Sequence, residues 1–170
     1  MMDGSMASMM AGMSALGPGG APRRQGGPSL AVTAARLSAI ALPLNFAWEL
    51  LQAPGYTSMG DTWLEGLLVC ARATLGDGVI FLALFGFGAF LFGRHWFVPP
   101  RIGRYAPIVG MAVAIQIAVE TVALAAGRWD YAAWHPRVFG AGLLPILQAV
   151  VLVPLTFMLL ARWHSRGARL

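Results

Sequence analysis

Residues 73–92 read ATLGDGVIFLALFGFGAFLF, twenty residues with a single charge, Asp77. At 1.5 Å per residue a helix of that length covers about 30 Å, the thickness of a bilayer's hydrocarbon core. The alternating pattern of a barrel strand is missing, so the stretch reads as a membrane-spanning helix. Working outward, the apolar run extends back to residue 64, and three further runs of similar character occupy residues 30–52, 105–126 and 140–161. The second run, 64–92, is longer than one perpendicular crossing requires. Either residues 64–72 carry the helix to the membrane surface or the helix tilts. The fold class is therefore all-α, an integral membrane four-helix bundle over residues 30–163.

Composition agrees. Of 170 residues, 58% are hydrophobic and 11% charged, against about 45–50% and about 25% in soluble domains. The net charge of +5 does not point to nucleic acid as a partner, because the arginines flank apolar runs instead of forming a basic face. A single cysteine, Cys70, excludes a disulfide framework, a zinc finger and a CxxC redox pair. Residues 1–29 hold Met, Gly, Ser, Pro and Ala without an apolar period and end in Gly26-Gly27-Pro28. Such a segment buries too little surface to offset its ordering entropy, so a disordered cytoplasmic tail is expected. Arg23-Arg24 resembles a twin-arginine export signal, but no small-x-small cleavage site follows.

Orientation follows from arginines near the helix ends. One side carries Arg23, Arg24, Arg36, Arg94, Arg101, Arg104, Arg162, Arg166 and Arg169; the other carries Arg128 and Arg137, with Arg72 at its boundary. This asymmetry predicts both termini in the cytoplasm. Trp96, Phe97, Tyr105 and Trp163 would form the inner aromatic belt, and Tyr56, Trp63, Trp129, Tyr131 and Trp134 the outer one. Gly86, Gly88, Gly110, Ala112 and Ala114 would let helices approach closely.

Polar groups inside spans are costly and each is a functional hypothesis. Asn45, Glu49 and Gln52 share one face of the first span at i, i+4, i+7, and Gln116 and Glu120 share one face of the third. Cys70, Thr74 and Asp77 form a stripe on the second, with Arg72 beside it, and Gln148 lies in the fourth. Counted from the outer helix ends, these groups fall within roughly the outer 5–15 Å of the core. The inner halves of the second and fourth spans, residues 79–92 and 150–160, carry no ionisable group. The arrangement predicts an outward-facing polar pocket. The competing reading is a buried hydrogen-bond network that locks the bundle, with Arg72 neutralising one acid. Three acids against one arginine leave at least one without a cation.

His135 lies in the outer loop with Trp129, Asp130, Tyr131 and Trp134, where it is either an interfacial histidine with no role or a cap on the pocket, as proton donor or metal ligand. No histidine lies within a span, and no Glu-x-x-His pair supports a di-iron site, so no metal is assigned. Gly76-Asp77-Gly78 is placed to break the second helix and expose backbone. No phosphate-binding loop and no Ser-His-Asp arrangement occurs, and no signature names a cofactor.

Asn45-x-x-Trp48-Glu49-x-x-Gln52-x-Pro54-x-Tyr56, followed by Gly76-Asp77, Glu120, Trp129-x-Tyr131 and Gly142-x-x-Pro145-x-x-Gln148, resembles an uncharacterised family of small bacterial multi-pass membrane proteins. The resemblance covers residues 40–155. It implies that Glu49, Asp77, Glu120 and Gln148 act together, and it brings no activity with it. In overall plan the chain is more weakly similar to small helix-bundle isoprenoid and sterol isomerases or cyclases, whose motif order it does not share.

Two function classes remain. The first is a small-ligand or lipid-binding module, or a subunit of a larger membrane complex or homo-oligomer. The second is a membrane-embedded acid–base enzyme acting on an isoprenoid, carotenoid or quinone-like lipid. In it, Glu49 or Glu120 would protonate a double bond, and Asp77 or the other glutamate would stabilise the cation. Asn45, Gln52, Arg72, Gln116, Gln148, Trp129, Tyr131 and His135 are the candidate ligand contacts in either. The first class is favoured because no complete catalytic signature is present. An enzyme needs a lateral opening at carboxylate depth; a subunit needs a flat apolar flank.

Overall fold

The computed structural model describes residues 28–57, 59–138 and 140–167. In it the chain forms four helices, α1 (Leu30–Gln52), α2 (Trp63–Phe92), α3 (Ile102–Ala125) and α4 (Leu143–Gly167). A 3₁₀ turn, Ala53–Gly55, follows α1, and a two-stranded antiparallel ribbon, β1 (Arg137–Val138) and β2 (Ala141–Gly142), precedes α4. All four helices are long and apolar enough to cross a membrane, so the chain is a multi-pass membrane protein. The disordered tail expected at 1–29 lies outside the described residues up to residue 27. Ser29 instead caps α1, its side chain accepting from the Val32 N–H at 3.2 Å.

The helix ends depart from expectation for local reasons. The ribbon takes residues 140–142, so α4 starts at Leu143 and not at 140. It then runs past 161, because His164 and Arg166 suit the negative end of a helix dipole. Helix α3 begins at Ile102 and not at 105. Helix α2 starts with a capping box: Thr62 Oγ1 accepts from Glu65 N–H at 3.2 Å, and Glu65 Oε2 accepts from Thr62 N–H at 3.1 Å.

The expected break at Gly76-Asp77-Gly78 does not occur, and α2 is continuous there. Gly78 serves packing instead. A Cβ on it would lie 2.8 Å from Leu42 Cδ2, so the missing side chain lets α1 seat against α2.

The helices form a ring in which α1 packs on α2 and α4, α3 packs on α4, and α2 and α3 pack least extensively. The start of α1, the α2–α3 turn and the end of α4 meet at one end. There the Arg36 guanidinium lies 5.5 Å over the Trp163 ring, Arg94 donates to Pro28 O at 2.6 Å, and His95 and His164 lie 5.2 Å apart. The loops after α1 and α3 occupy the opposite end.

The apolar core fills the half nearer the termini. Trp96 and Phe97, expected in an interfacial belt, are both fully buried there, and Tyr105 is buried with them. The α2–α3 turn folds inward, and Trp96 lies where a Cβ on Gly88 would be. Its indole donates to Phe85 O at 3.3 Å, so burial leaves no orphaned donor. Trp163, Trp63 and Trp134 do remain exposed, as belt residues should. Of the small residues expected at helix contacts, Gly88 and Ala112 are buried, whereas Gly86 and Gly110 face open space.

Candidate functional site

Three helices converge on Gln148. Its Nε2 donates to Asp77 Oδ2 at 2.8 Å, Asn45 Oδ1 at 2.9 Å and Glu49 Oε1 at 3.3 Å. An amide nitrogen has two hydrogens, so three acceptor oxygens compete for them. Glu49 is held a second time by Gln52 Nε2 at 2.9 Å, and Gln52 Oε1 accepts from the Trp48 indole at 3.1 Å. This follows from spacing on α1, where Asn45, Glu49 and Gln52 share one face and Trp48 lies one turn before Gln52. Asn45 is tied down by its own Nδ2, which donates to Ala41 O at 2.7 Å. The Glu49 and Asp77 carboxyl groups lie within reach of each other. Gln148 is buried, and its Oε1 has no partner among the described residues.

The third acid is held from the loops. Glu120 is buried, and Oε2 accepts from the Tyr131 hydroxyl. That hydroxyl in turn accepts from Gly142 N–H at 2.7 Å. The loops after α1 and α3 are joined by a Tyr56–Tyr131 bridge, by Thr57 N–H donating to Asp130 O at 2.9 Å and by Ala132 N–H donating to Gly55 O at 2.9 Å. His135 stacks on Tyr131 with centroids 4.4 Å apart, and its Nδ1 lies 3.1 Å from Gly55 O. A carbonyl only accepts, so Nδ1 carries the proton there. Burial, and then the charge of Arg137, hold His135 below the usual histidine range, against the opposing bond to Gly55. Two glycines make room for this ring. A Cβ on Gly55 would fall 2.5 Å from His135 Nδ1, and one on Gly142 would fall 2.7 Å from both His135 Nε2 and the Tyr131 hydroxyl.

Between these two groups lies a cavity of about 780 Å³ that takes in all three acids, together with Gln52, Gln116, Tyr56 and Trp129. Its apolar wall is made by Val69, Ala73, Val79, Ile80 and Val119. Val69, Ala73, Gly76, Val79 and Val119 are themselves exposed on the outside of the bundle, so the cavity opens sideways between α2 and α3. Arg72 on α2 and Arg128 after α3 also line it, and both are exposed. Burial first, then the charges of Glu120, Glu49 and Asp77, push the Tyr56 phenol well above its usual range, so it keeps its proton.

Glu49, Asp77, Glu120, Gln52, Gln116, Arg72 and Trp129 thus share one cavity, with Gln148 and Tyr131 bonded to its acids and Asn45 bonded to Gln148. The Trp129 indole nitrogen comes close to Glu120 but closes no bond of normal geometry. His135 does not line the cavity; it fastens the loop behind Tyr131. Arg72, which the competing reading has neutralising an acid, forms no ion pair within 4 Å among the described residues. Its side chain lies on the exposed rim, five residues before Asp77 and out of line with it on the helix. Thr74 turns back to Cys70 O at 2.8 Å and takes no part. Among the described residues no group of three or more His, Cys, Asp or Glu is placed to hold a metal ion.

Sequence reasoning missed Tyr56 and Arg128 as cavity residues. Tyr56 stands in the motif block beginning at Asn45, which was the available signal. Arg128 had none, because only the loop's path brings it to the rim. No family model, curated protein or solved structure matches this chain.

Proposed function

We propose that this chain is a binding module for a membrane-soluble small molecule, which enters from the lipid between α2 and α3 and places its polar end among Glu49, Asp77 and Glu120. The observation that carries this reading is the sideways opening of the cavity at the depth of the carboxyl groups. A network serving only to lock helices has no need of 780 Å³ of open space beside it. The arginine asymmetry supports cytoplasmic termini, which turns the cavity to the outer leaflet, and the family resemblance supports a bacterial inner membrane. The family resemblance of the Asn45–Tyr56 block supports treating these acids as one unit.

A second reading, acid–base catalysis on an isoprenoid, carotenoid or quinone-like lipid, is favoured by one feature. Glu49 and Asp77 face each other and share Gln148, as a proton donor and acceptor pair would.

The test is extraction. The full chain is purified in detergent, and co-purifying lipid-soluble molecules are quantified by mass spectrometry for the parent, Glu49→Gln and Gly76→Leu. Gly76 lines the cavity and has open space before it, so leucine there obstructs the opening while every acid is retained. Both variants should retain about a tenth or less of the parent's load, the loss of one good polar contact or of access. Equal loads on three well-folded proteins would refute the binding reading.

A further inference from the structure

We infer that the ligand is a lipid with a zwitterionic phosphoethanolamine-type headgroup, its primary ammonium among the three acids and its phosphate between Arg72 and Arg128. The inference rests on the binding reading above and names the ligand class for that same cavity.

The first observation is the kind of donor the acids receive. Glu49 is bonded by Gln52 and Gln148, Asp77 by Gln148, and Glu120 by Tyr131, while the Glu49 and Asp77 carboxyl groups meet each other. The amide and phenol donors are all neutral, and no cation forms an ion pair within 4 Å of these carboxyl groups among the described residues. The second is a shortage of hydrogens. Gln148 offers two to three oxygens, and its own Oε1, on a side chain only 4% exposed, has none. An ammonium brings a positive charge and three N–H donors to a place with surplus acceptors. Tyr56 and Trp129, edge to face at 6.4 Å, add aromatic surface to the same cavity, which suits a cation.

The rim has the opposite sign. Arg72 stands on one lip and Arg128 on the other, both exposed and both facing the cavity. A simple cation would meet two arginines on entry, and a simple anion would meet three acids inside. A headgroup carrying both signs satisfies both regions. Arg72 precedes Asp77 by five residues, about 7.5 Å along the helix and about 140° around it, so the long arginine side chain has to reach round the helix to meet the phosphate, and it does line the same cavity. The apolar wall of Val69, Val79, Ile80 and Val119 is then the exit for the acyl chains. A trimethylated choline head lacks the N–H groups the acceptors require, so it fits less well.

The experiment is native mass spectrometry of the full chain in detergent, titrated with phosphatidylethanolamine, phosphatidylcholine, phosphatidylglycerol and diacylglycerol of identical chains. Phosphatidylethanolamine should bind about tenfold tighter than the other three, the effect of one charge-assisted hydrogen bond. Glu49→Gln or Asp77→Asn should erase that preference, and Arg72→Gln with Arg128→Gln should weaken all three phospholipids and leave diacylglycerol unchanged. Having two acid variants keeps the test intact if one fails to fold. Soluble glycerophosphoethanolamine, lacking chains, should compete poorly; strong competition would overturn the lipid as source. Phosphatidylglycerol binding as tightly as phosphatidylethanolamine would overturn the headgroup assignment while leaving the binding module standing. Absence of binding by any of the four would overturn both.

Discussion

Replacing Gln148 by methionine is the sharpest test of whether the polar cluster holds the bundle together. Methionine keeps the length and volume of the side chain but removes the amide that joins α4 to α1 and α2. Three contacts disappear, at 2.8, 2.9 and 3.3 Å. Only two hydrogens serve them, so at most two bonds' worth of stabilisation is lost. Interhelical side-chain hydrogen bonds in membranes are worth about 0.6 kcal/mol on average and about 1.7 kcal/mol at most. Two bonds therefore predict a loss of about 1–3 kcal/mol. Asn45 stays fixed through Ala41 O and Glu49 through Gln52, which is why the loss is not larger. Reversible unfolding in mixed micelles measures it, with Gln116→Met as control. Gln116 lines the same cavity, and its amide bonds to no described residue, so its loss should be under about 0.5 kcal/mol. Equal stabilities for parent and Gln148→Met would refute the reasoning, because the three contacts would then contribute nothing over lipid-solvated alternatives.

Three further outcomes follow from other parts of the molecule. Gly88→Ala should destabilise by about 1–3 kcal/mol because its Cβ meets the buried Trp96 ring, whereas Gly110→Ala, facing open space, should be neutral or slightly stabilising in the same unfolding assay. His135 is held below its unfolded value of 6.5, so above that pH it is neutral in both states. As pH falls below 6.5 the unfolded loop takes up the proton first and the fastened loop loses stability, a change read as faster intrinsic-corrected hydrogen exchange in residues 128–138 that His135→Gln should abolish. A reporter active only in the cytoplasm should stay silent when inserted at residues 57–60 and active at the C-terminus; the reverse pattern would invert the assigned orientation.

Much of the architecture is a one-dimensional property. A run such as 73–92 must bury its backbone polar groups in helical bonds once it enters lipid, so four apolar runs mean four helices whatever their neighbours. The α1 face of Asn45, Glu49 and Gln52 is equally local, since 3.6 residues per turn put them together before any packing occurs. Depth, too, was countable from the helix ends. Which side chains touch was not. That Gln148 serves Asn45, Glu49 and Asp77, and leaves Arg72 at the rim, depends on the rotation of each helix about its axis, which an apolar run with lipid on most sides does not encode. Gly76-Asp77-Gly78 shows the same division. Composition suggests a break, but a glycine in a helix can equally admit a neighbour, and the fit of Leu42 against Gly78 decides for the latter. Trp96 and Phe97 look interfacial by position and are core because the turn after α2 folds inward onto Gly88. Tyr56 and Arg128 reach the cavity only through the path of two loops. Helices are determined within a segment, whereas a cavity is a relation between segments, and its opening exists here because α2 and α3 pack least closely.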